Sequence, residues 1–288
     1  MASGKHVENP FEFILEKLSW TLADIGKAAL PNPRRHIGEP VPVVRKIATR
    51  DLWDALKRGM ADVGALRDDI LFIGLIYPLA GLVLARLAFS LDLLPLVFPL
   101  ASGFALIGPL AAVGLYELSR QREQGTQVTW LAAFGVFRAP ALLSILGLGA
   151  MLLALFFVWL GVAYQIFLLN LGGPAPQTIA AFEHAVFQTA GGQAMIAQGV
   201  GVGFLFAVVA FSVSVVSFPL LLDRDVSVWT AIATSLRAVK ENVGVMLLWG
   251  LIVAGALVLG SLPALAGLIL VVPVLGHATW HLYRKVVV

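Results

Sequence analysis

From about residue 70 onward the chain alternates long apolar runs with short polar connections. A helix needs about 20 mostly apolar residues to cross the hydrocarbon core of a bilayer. Six stretches meet or approach that length: Ile70–Phe89, Leu93–Leu115, Ala141–Leu169, Ala194–Leu222, Val243–Leu259 and Leu262–Trp280. The last two form one apolar run from Val243 to Gly276, too long for a single crossing, and Gly260-Ser261-Leu262-Pro263 supplies a hairpin turn at its middle. The third and fourth are long enough to tilt or protrude.

Polar positions interleave with apolar ones before and between these runs. Asn9 can cap a helix with Pro10 at its first position. Phe11, Ile14, Leu15, Leu18, Leu22, Ile25 and Ala29 then share one face of an amphipathic helix suited to a membrane surface or to another chain. Pro31-Asn32-Pro33-Arg34-Arg35 and Pro40-Val41-Pro42 follow as an extended linker. A second amphipathic helix is expected from Arg50 to Arg67, capped by Thr49, with Leu52, Leu56, Met60, Val63 and Leu66 inward and Asp51, Asp54, Lys57, Arg58 and Asp62 outward. Between the third and fourth runs, Gln177 to Thr189 predicts a surface-lying helix with Ile179, Phe182, Val186 and Phe187 on one face.

An internal repeat emerges from these pieces. Thr49-Arg50-Asp51-Leu52-Trp53-Asp54-Ala55, Thr126-Gln127-Val128-Thr129-Trp130-Leu131-Ala132 and Asp225-Val226-Ser227-Val228-Trp229-Thr230-Ala231 each place Trp-x-Ala after a cap-like residue, and each precedes a pair of apolar runs. The second run of each pair holds a late proline: Pro109, Pro219 or Pro273. The expected architecture is therefore all-α: a polytopic membrane protein of six transmembrane helices in three hairpins, each preceded by a cytoplasmic amphipathic helix with a tryptophan at headgroup level. Residues 1–43 form the cytoplasmic helix and Pro-rich linker, and residues 44–288 the six-helix domain.

Charge fixes the orientation. Only 13% of the residues are charged and 59% are hydrophobic, against about 25% charged in soluble domains. With the first residues inside and six crossings, every Lys and Arg except Arg86 falls in an inside segment: 1–69, 116–140, 223–242 or the tail from His281. Both termini are thus expected in the cytoplasm. The absence of cysteine excludes disulfides, thiolate metal sites and a Cys nucleophile. The polar start, with Glu8 beside Lys5, does not have the form of a cleavable signal.

Candidate chemistry is sparse. His277 and His281, spaced i, i+4, share a helix face and could bind a metal, but Ala278 stands where the helix-borne metalloprotease motif has Glu. Beside Trp280, Tyr283, Arg284 and Lys285, the two histidines are better explained as interfacial anchors. Glu183-His184 are adjacent on a helix and point apart. Arg86, Asp92 and Glu117 lie near span ends, with Arg86 placed to pair with Asp92. The third to sixth spans hold no mid-span carboxylate, which argues against ion-coupled transport. Gly199-x-Gly201-x-Gly203 lies inside a span, so it is no phosphate loop, and small residues there suit helix packing. The basic loops lack the density of a nucleic-acid surface. No catalytic or cofactor-binding residue is assigned.

Several stretches resemble a family of bacterial integral membrane proteins catalogued as domain of unknown function 2189. They are Arg45-Lys46-Ile47, Thr49-Arg50-Asp51-Leu52-Trp53, Ile76-Tyr77-Pro78-Leu79 with Gly81, Phe98-Pro99-Leu100, Gly108-Pro109-Leu110 and Gly114-Leu115-Tyr116-Glu117-Leu118-Ser119-Arg120. The resemblance spans roughly residues 40–285. It implies a bacterial inner-membrane protein, and some members carry the label of cytochrome c oxidase subunits, which implies an accessory place beside a respiratory complex rather than a haem-bearing one. The expected function is a non-enzymatic membrane protein packing against partner membrane proteins or lipids, with a small-molecule or lipid transporter as the alternative.

Overall fold

Small residues, not large ones, decide how the first amphipathic helix meets the rest of the chain. In the computed structural model, helix α1 (Thr49–Ala65) buries Leu52, Ala55, Gly59 and Asp62 and exposes Trp53 and Met60. The expected apolar stripe is therefore rotated: the helix seats its smallest positions against α10 (Leu268–Val286). A Cβ on Gly59 would lie 2.7 Å from the Ala278 backbone nitrogen, so only glycine permits this approach. Thr49 opens the helix instead of capping it, and Asp51 accepts the Ala48 N–H at 2.8 Å.

The structure describes residues 42–65, 78–83, 94–126, 130–172 and 178–288, with single positions 75, 86 and 128. They belong to one compact unit, Pro40–Val288. The expected helix over 11–29, its linker, Asp92 and most of the run Ile70–Phe89 lie outside the described residues. After α1 come α2 (Val97–Ala111), α3 (Val113–Glu123), a 3-10 segment (Trp130–Arg138), α4 (Leu142–Leu171) and α5 (Ile179–Gln188). Then follow α6 (Ala190–Ser214), α7 (Ser217–Asp223), α8 (Val228–Glu241), α9 (Val243–Ser261) and α10. Among the described residues the regular elements are all helices, with one isolated bridge, Val44 to Val287.

Among the described residues, three helical runs are long and apolar enough to cross a membrane: α4, the stretch Ala190–Asp223, and α9. Six were expected. The first run falls mostly outside the described residues. The second bends at Ala112, shortly after Pro109, leaving α2 with 15 residues and a polar continuation in α3. The sixth starts only at Leu268, after a turn with Ala264 and Leu265 at positive φ, and its second half carries His277, His281, Arg284 and Lys285. The surface helix α5 is where it was expected, capped by Thr178, although Phe187 faces outward.

Pro219 explains the second bend. It offers no N–H to the Val215 carbonyl, and the chain turns at Val215-Val216 before α7. The bond from Val216 N–H to the Ser212 carbonyl, normal in a helix, is replaced by one side chain. Ser235 of α8 donates to Ser212 O at 2.7 Å and accepts from Val216 N at 3.2 Å. Ser235 is fully buried, so both freed backbone groups are satisfied without water.

The helix ends α3, α7 and α10 touch one another pairwise. Their shared core includes Leu115, Leu118, Phe218, Leu221, Ala278 and Leu282. Each is flanked by one tryptophan-bearing segment: α1 on α10, the 3-10 segment on α3, and α8 on α7. Aligned on tryptophan, α1 and α8 share one burial register. Ala55 and Ala231, Gly59 and Ser235, and Asp62 and Ala238 face inward, while Trp53 (61% exposed) and Trp229 (64%) face out.

Two expectations follow for thermal melts of the detergent-purified protein. Gly59→Ala destabilises by about 1–3 kcal/mol through overpacking, whereas Gly64→Ala, with nothing within 4 Å, is neutral or stabilises by a few tenths of a kcal/mol. Ser235→Ala costs about 1–3 kcal/mol for each buried backbone group it leaves unpaired, and an unchanged midpoint would show that this hydroxyl does not hold the bend.

Candidate functional site

Asp62 comes to lie at the centre of a buried polar cluster because α1 presses so closely on α10. Three helices contribute: α1 supplies Asp62, α3 supplies Ser119 and Arg122, and α10 supplies His277 and His281 from one face. Asp62 is 5% exposed and His277 fully buried. Asp62 Oδ2 accepts from the Ser119 hydroxyl at 2.6 Å and faces His281 Nε2 at 2.8 Å, while Oδ1 accepts from Arg122 Nη1 at 2.5 Å. Ser119 Oγ also faces His277 Nδ1 at 2.7 Å.

The hydrogens can be assigned by elimination. Ser119 has one proton, and the carboxylate can only accept it. His277 must then carry its hydrogen on Nδ1 and donate it to Ser119 Oγ, which leaves its Nε2 a bare acceptor. That atom is buried and has no hydrogen-bond partner. His281 donates from Nε2 to Asp62. Burial acts to raise the Asp62 pKa, but hydrogen bonds from His281 and Ser119 and the nearby imidazoles outweigh it, holding the carboxyl below its ordinary value of 3.8.

This arrangement ties three helices together through hydrogen bonds and an ion pair. A nucleophilic serine also has to be reachable by its substrate, and Ser119, which donates a hydrogen bond to Asp62, is 1% exposed. Among the described residues no group of three His, Cys, Asp or Glu is arranged to hold a metal. The two histidines share a face, as their spacing requires, yet His281 is committed to Asp62 while the free nitrogen of His277 is not.

Further pairs surround the cluster at the same end of the bundle. Trp280 Nε1 donates to Glu123 at 3.1 Å, and Tyr283 donates to Asp223 at 2.7 Å. Arg284 reaches both acids, and Lys285 reaches Asp51 and Asp54. Trp280 and Tyr283 are therefore packed inside rather than turned to the headgroups, and His277 with them, contrary to the interfacial-anchor expectation. Glu117 is also buried, bonded by Arg120 and Gln121. Glu183 and His184 are both exposed on α5.

Sequence reasoning missed Asp62, Ser119 and Arg122. One signal was present: Asp62 follows Ala55 by seven residues and Gly59 by three, on the small-residue face of α1. The partners lie 57 to 219 residues away in the chain, beyond any local pattern.

A second feature is an apolar groove of about 240 Å³ lined by Phe98, Ser102, Trp159, Gly199, Gly203 and Phe204. Its polar groups are already engaged, since Trp159 Nε1 donates to Pro99 O at 3.1 Å and Ser102 Oγ at 3.2 Å.

Long apolar helices, broad apolar surfaces and charge gathered at one end define an integral membrane protein with several spanning helices. Residues 97–223 match the model of the family described as "Predicted integral membrane protein (DUF2189)". This is the family that the sequence resembles, over a shorter stretch than the motifs suggested. No curated protein and no solved structure matches the chain.

Asp62→Asn removes the charge that Arg122 and His281 face, and is expected to lower stability by about 2–3 kcal/mol. Because the native carboxyl titrates below the unfolded value of 3.8, its contribution is fully present at neutral pH and is lost as pH falls through that value and below. Wild-type melts recorded from pH 7 down to 3 should therefore converge on those of Asp62→Asn, and parallel curves would remove Asp62 from this role.

Proposed function

We propose that the protein is a non-enzymatic membrane scaffold of six spans in three hairpins, offering its outer helix faces to partner membrane proteins and lipids. Each hairpin follows an amphipathic segment on the cytoplasmic face, and both termini lie in the cytoplasm of a bacterial inner membrane. The observation that carries this reading is the bareness of α9. Only 17% of its most apolar window is buried, with Leu251 66% and Val258 63% exposed. A helix so open needs lipid or another helix against it. The occupied hydrogen bonds of the Asp62 cluster also favour a structural role over a catalytic one. The concentration of Lys and Arg in the segments taken as inside supports the orientation.

The groove beside Trp159 favours a second reading, passage of a small apolar solute or a lipid chain. Its lining has no titratable group, which suits an apolar cargo and not an ion.

A photo-crosslinking residue at Leu251 or Val258, used in native membranes, should capture a discrete partner protein or lipid, while the buried positions Met246 and Trp249 should give none. Equal silence at all four positions would count against the scaffold. Uptake of an apolar solute into proteoliposomes, abolished by Gly203→Trp, would favour transport instead.

A further inference from the structure

We infer that the junction between α8 and α1 binds the phosphates of anionic phospholipids. This rests on the proposed placement of both helices at the membrane surface and adds the lipid class.

Asn242, which ends α8, clamps the chain entering α1. Its side chain accepts from Ile47 N at 2.8 Å and donates to Arg45 O at 3.2 Å. Lys46 is thereby held beside the last turn of α8, which carries Lys240, and Arg50 follows in the first turn of α1. Lys46, Arg50, Arg237 and Lys240 are all exposed, and among the described residues none has an acidic partner within salt-bridge distance. Arg45 spends its Nε on the neutral Lys285 carbonyl. The nearby acids are Glu241, and Asp51, which Lys285 engages. Positive charge therefore exceeds negative at this junction.

Depth identifies the occupant. The apolar helix α9 begins at Val243, immediately after Asn242, with Val243 and Leu247 exposed. Lys240 lies three residues before it in the chain, across the break at Asn242, so the basic end of α8 adjoins the polar end of that span. On α8 the exposed positions Trp229, Ala233, Leu236, Arg237 and Lys240 form one stripe, apolar first and then basic. On α1 the exposed stripe of Trp53, Lys57 and Met60 repeats the register. Exposed tryptophan beside unpaired cations at the end of a span fits an anionic lipid surface, and a soluble anion would not need the aromatic residues.

The full-length protein in mild detergent is titrated with phosphatidylglycerol or phosphatidylcholine and bound lipid is read by native mass spectrometry. Wild type should prefer phosphatidylglycerol. Lys46→Gln with Lys240→Gln should weaken that binding about tenfold and leave phosphatidylcholine unchanged. Arg58→Gln with Arg224→Gln, which removes cations already paired to Asp54 and Asp223, should have little effect. Equal affinity for the two lipids, an unchanged Lys46/Lys240 variant, or displacement by an equal concentration of inorganic phosphate would each overturn the assignment. Placement is checked separately, since the chain has no cysteine. Ala61→Cys and Ala233→Cys should label from the same side of a sealed vesicle. Labelling from opposite sides would sink the scaffold topology, whereas same-side labelling without lipid preference would sink only this inference.

Discussion

Placing one carboxylate between the first and last described helices constrains everything at the charged end of the bundle. A lone carboxylate out of water is expensive, and it is tolerated only when fully hydrogen-bonded and paired. Asp62 meets that condition by drawing Ser119 and Arg122 from α3 and His281 from α10. Those partners are available only if α1 approaches α10 at backbone contact, which Gly59 allows. The close approach and the buried charge are thus one constraint. Loosening the helix contact would expose the carboxylate, and removing the carboxylate would leave Arg122 and His281 without their acceptor.

The same rule governs the backbone. In a lipid-facing helix each N–H and C=O needs an internal partner. Both bends near prolines break that bookkeeping locally, and at Pro219 the repair is visible: a serine from the neighbouring helix bridges the two groups the bend released. The bend in turn positions α7 so that Asp223 meets Tyr283 and Arg284 of α10. Ion pairs around the charged end are mostly part-exposed and individually weak. Their effect is to fix the register of helices whose apolar contacts alone would allow sliding.

Long apolar runs were legible because hydropathy is a local property, and α4, α6 with α7, and α9 lie where those runs predicted. The surface helix α5 and the turn between α9 and α10 were legible for the same reason. The inner face of α1 was not. Periodicity favoured Leu56 and Met60, but packing chose Ala55 and Gly59, because close backbone approach outweighs the burial of one flexible side chain. The charged tail misled differently: Trp280, Tyr283 and His277 have the composition of a membrane-interface belt, yet they are buried, Trp280 and Tyr283 bonded to acids of α3 and α7 and His277 to Ser119 of α3. Such partners lie up to 158 residues away, and no window of sequence contains both.

The three tryptophan-bearing segments are held by unequal means. The 3-10 segment follows α3, and α8 follows α7, after short connections, so each stays near its helix at little entropic loss. Helix α1 has no such tether to α10, which lies at the other end of the described chain, and closing that separation costs more. This is where the structure concentrates its specific bonds: the Asp62 cluster, the Lys285 pairs with Asp51 and Asp54, and the Val44–Val287 bridge. The other two contacts, between elements that are neighbours in sequence, have no comparable set of charged partners among the described residues. A buried carboxylate at the closing contact, and alanine at the equivalent place on α8, follow from that difference in connectivity.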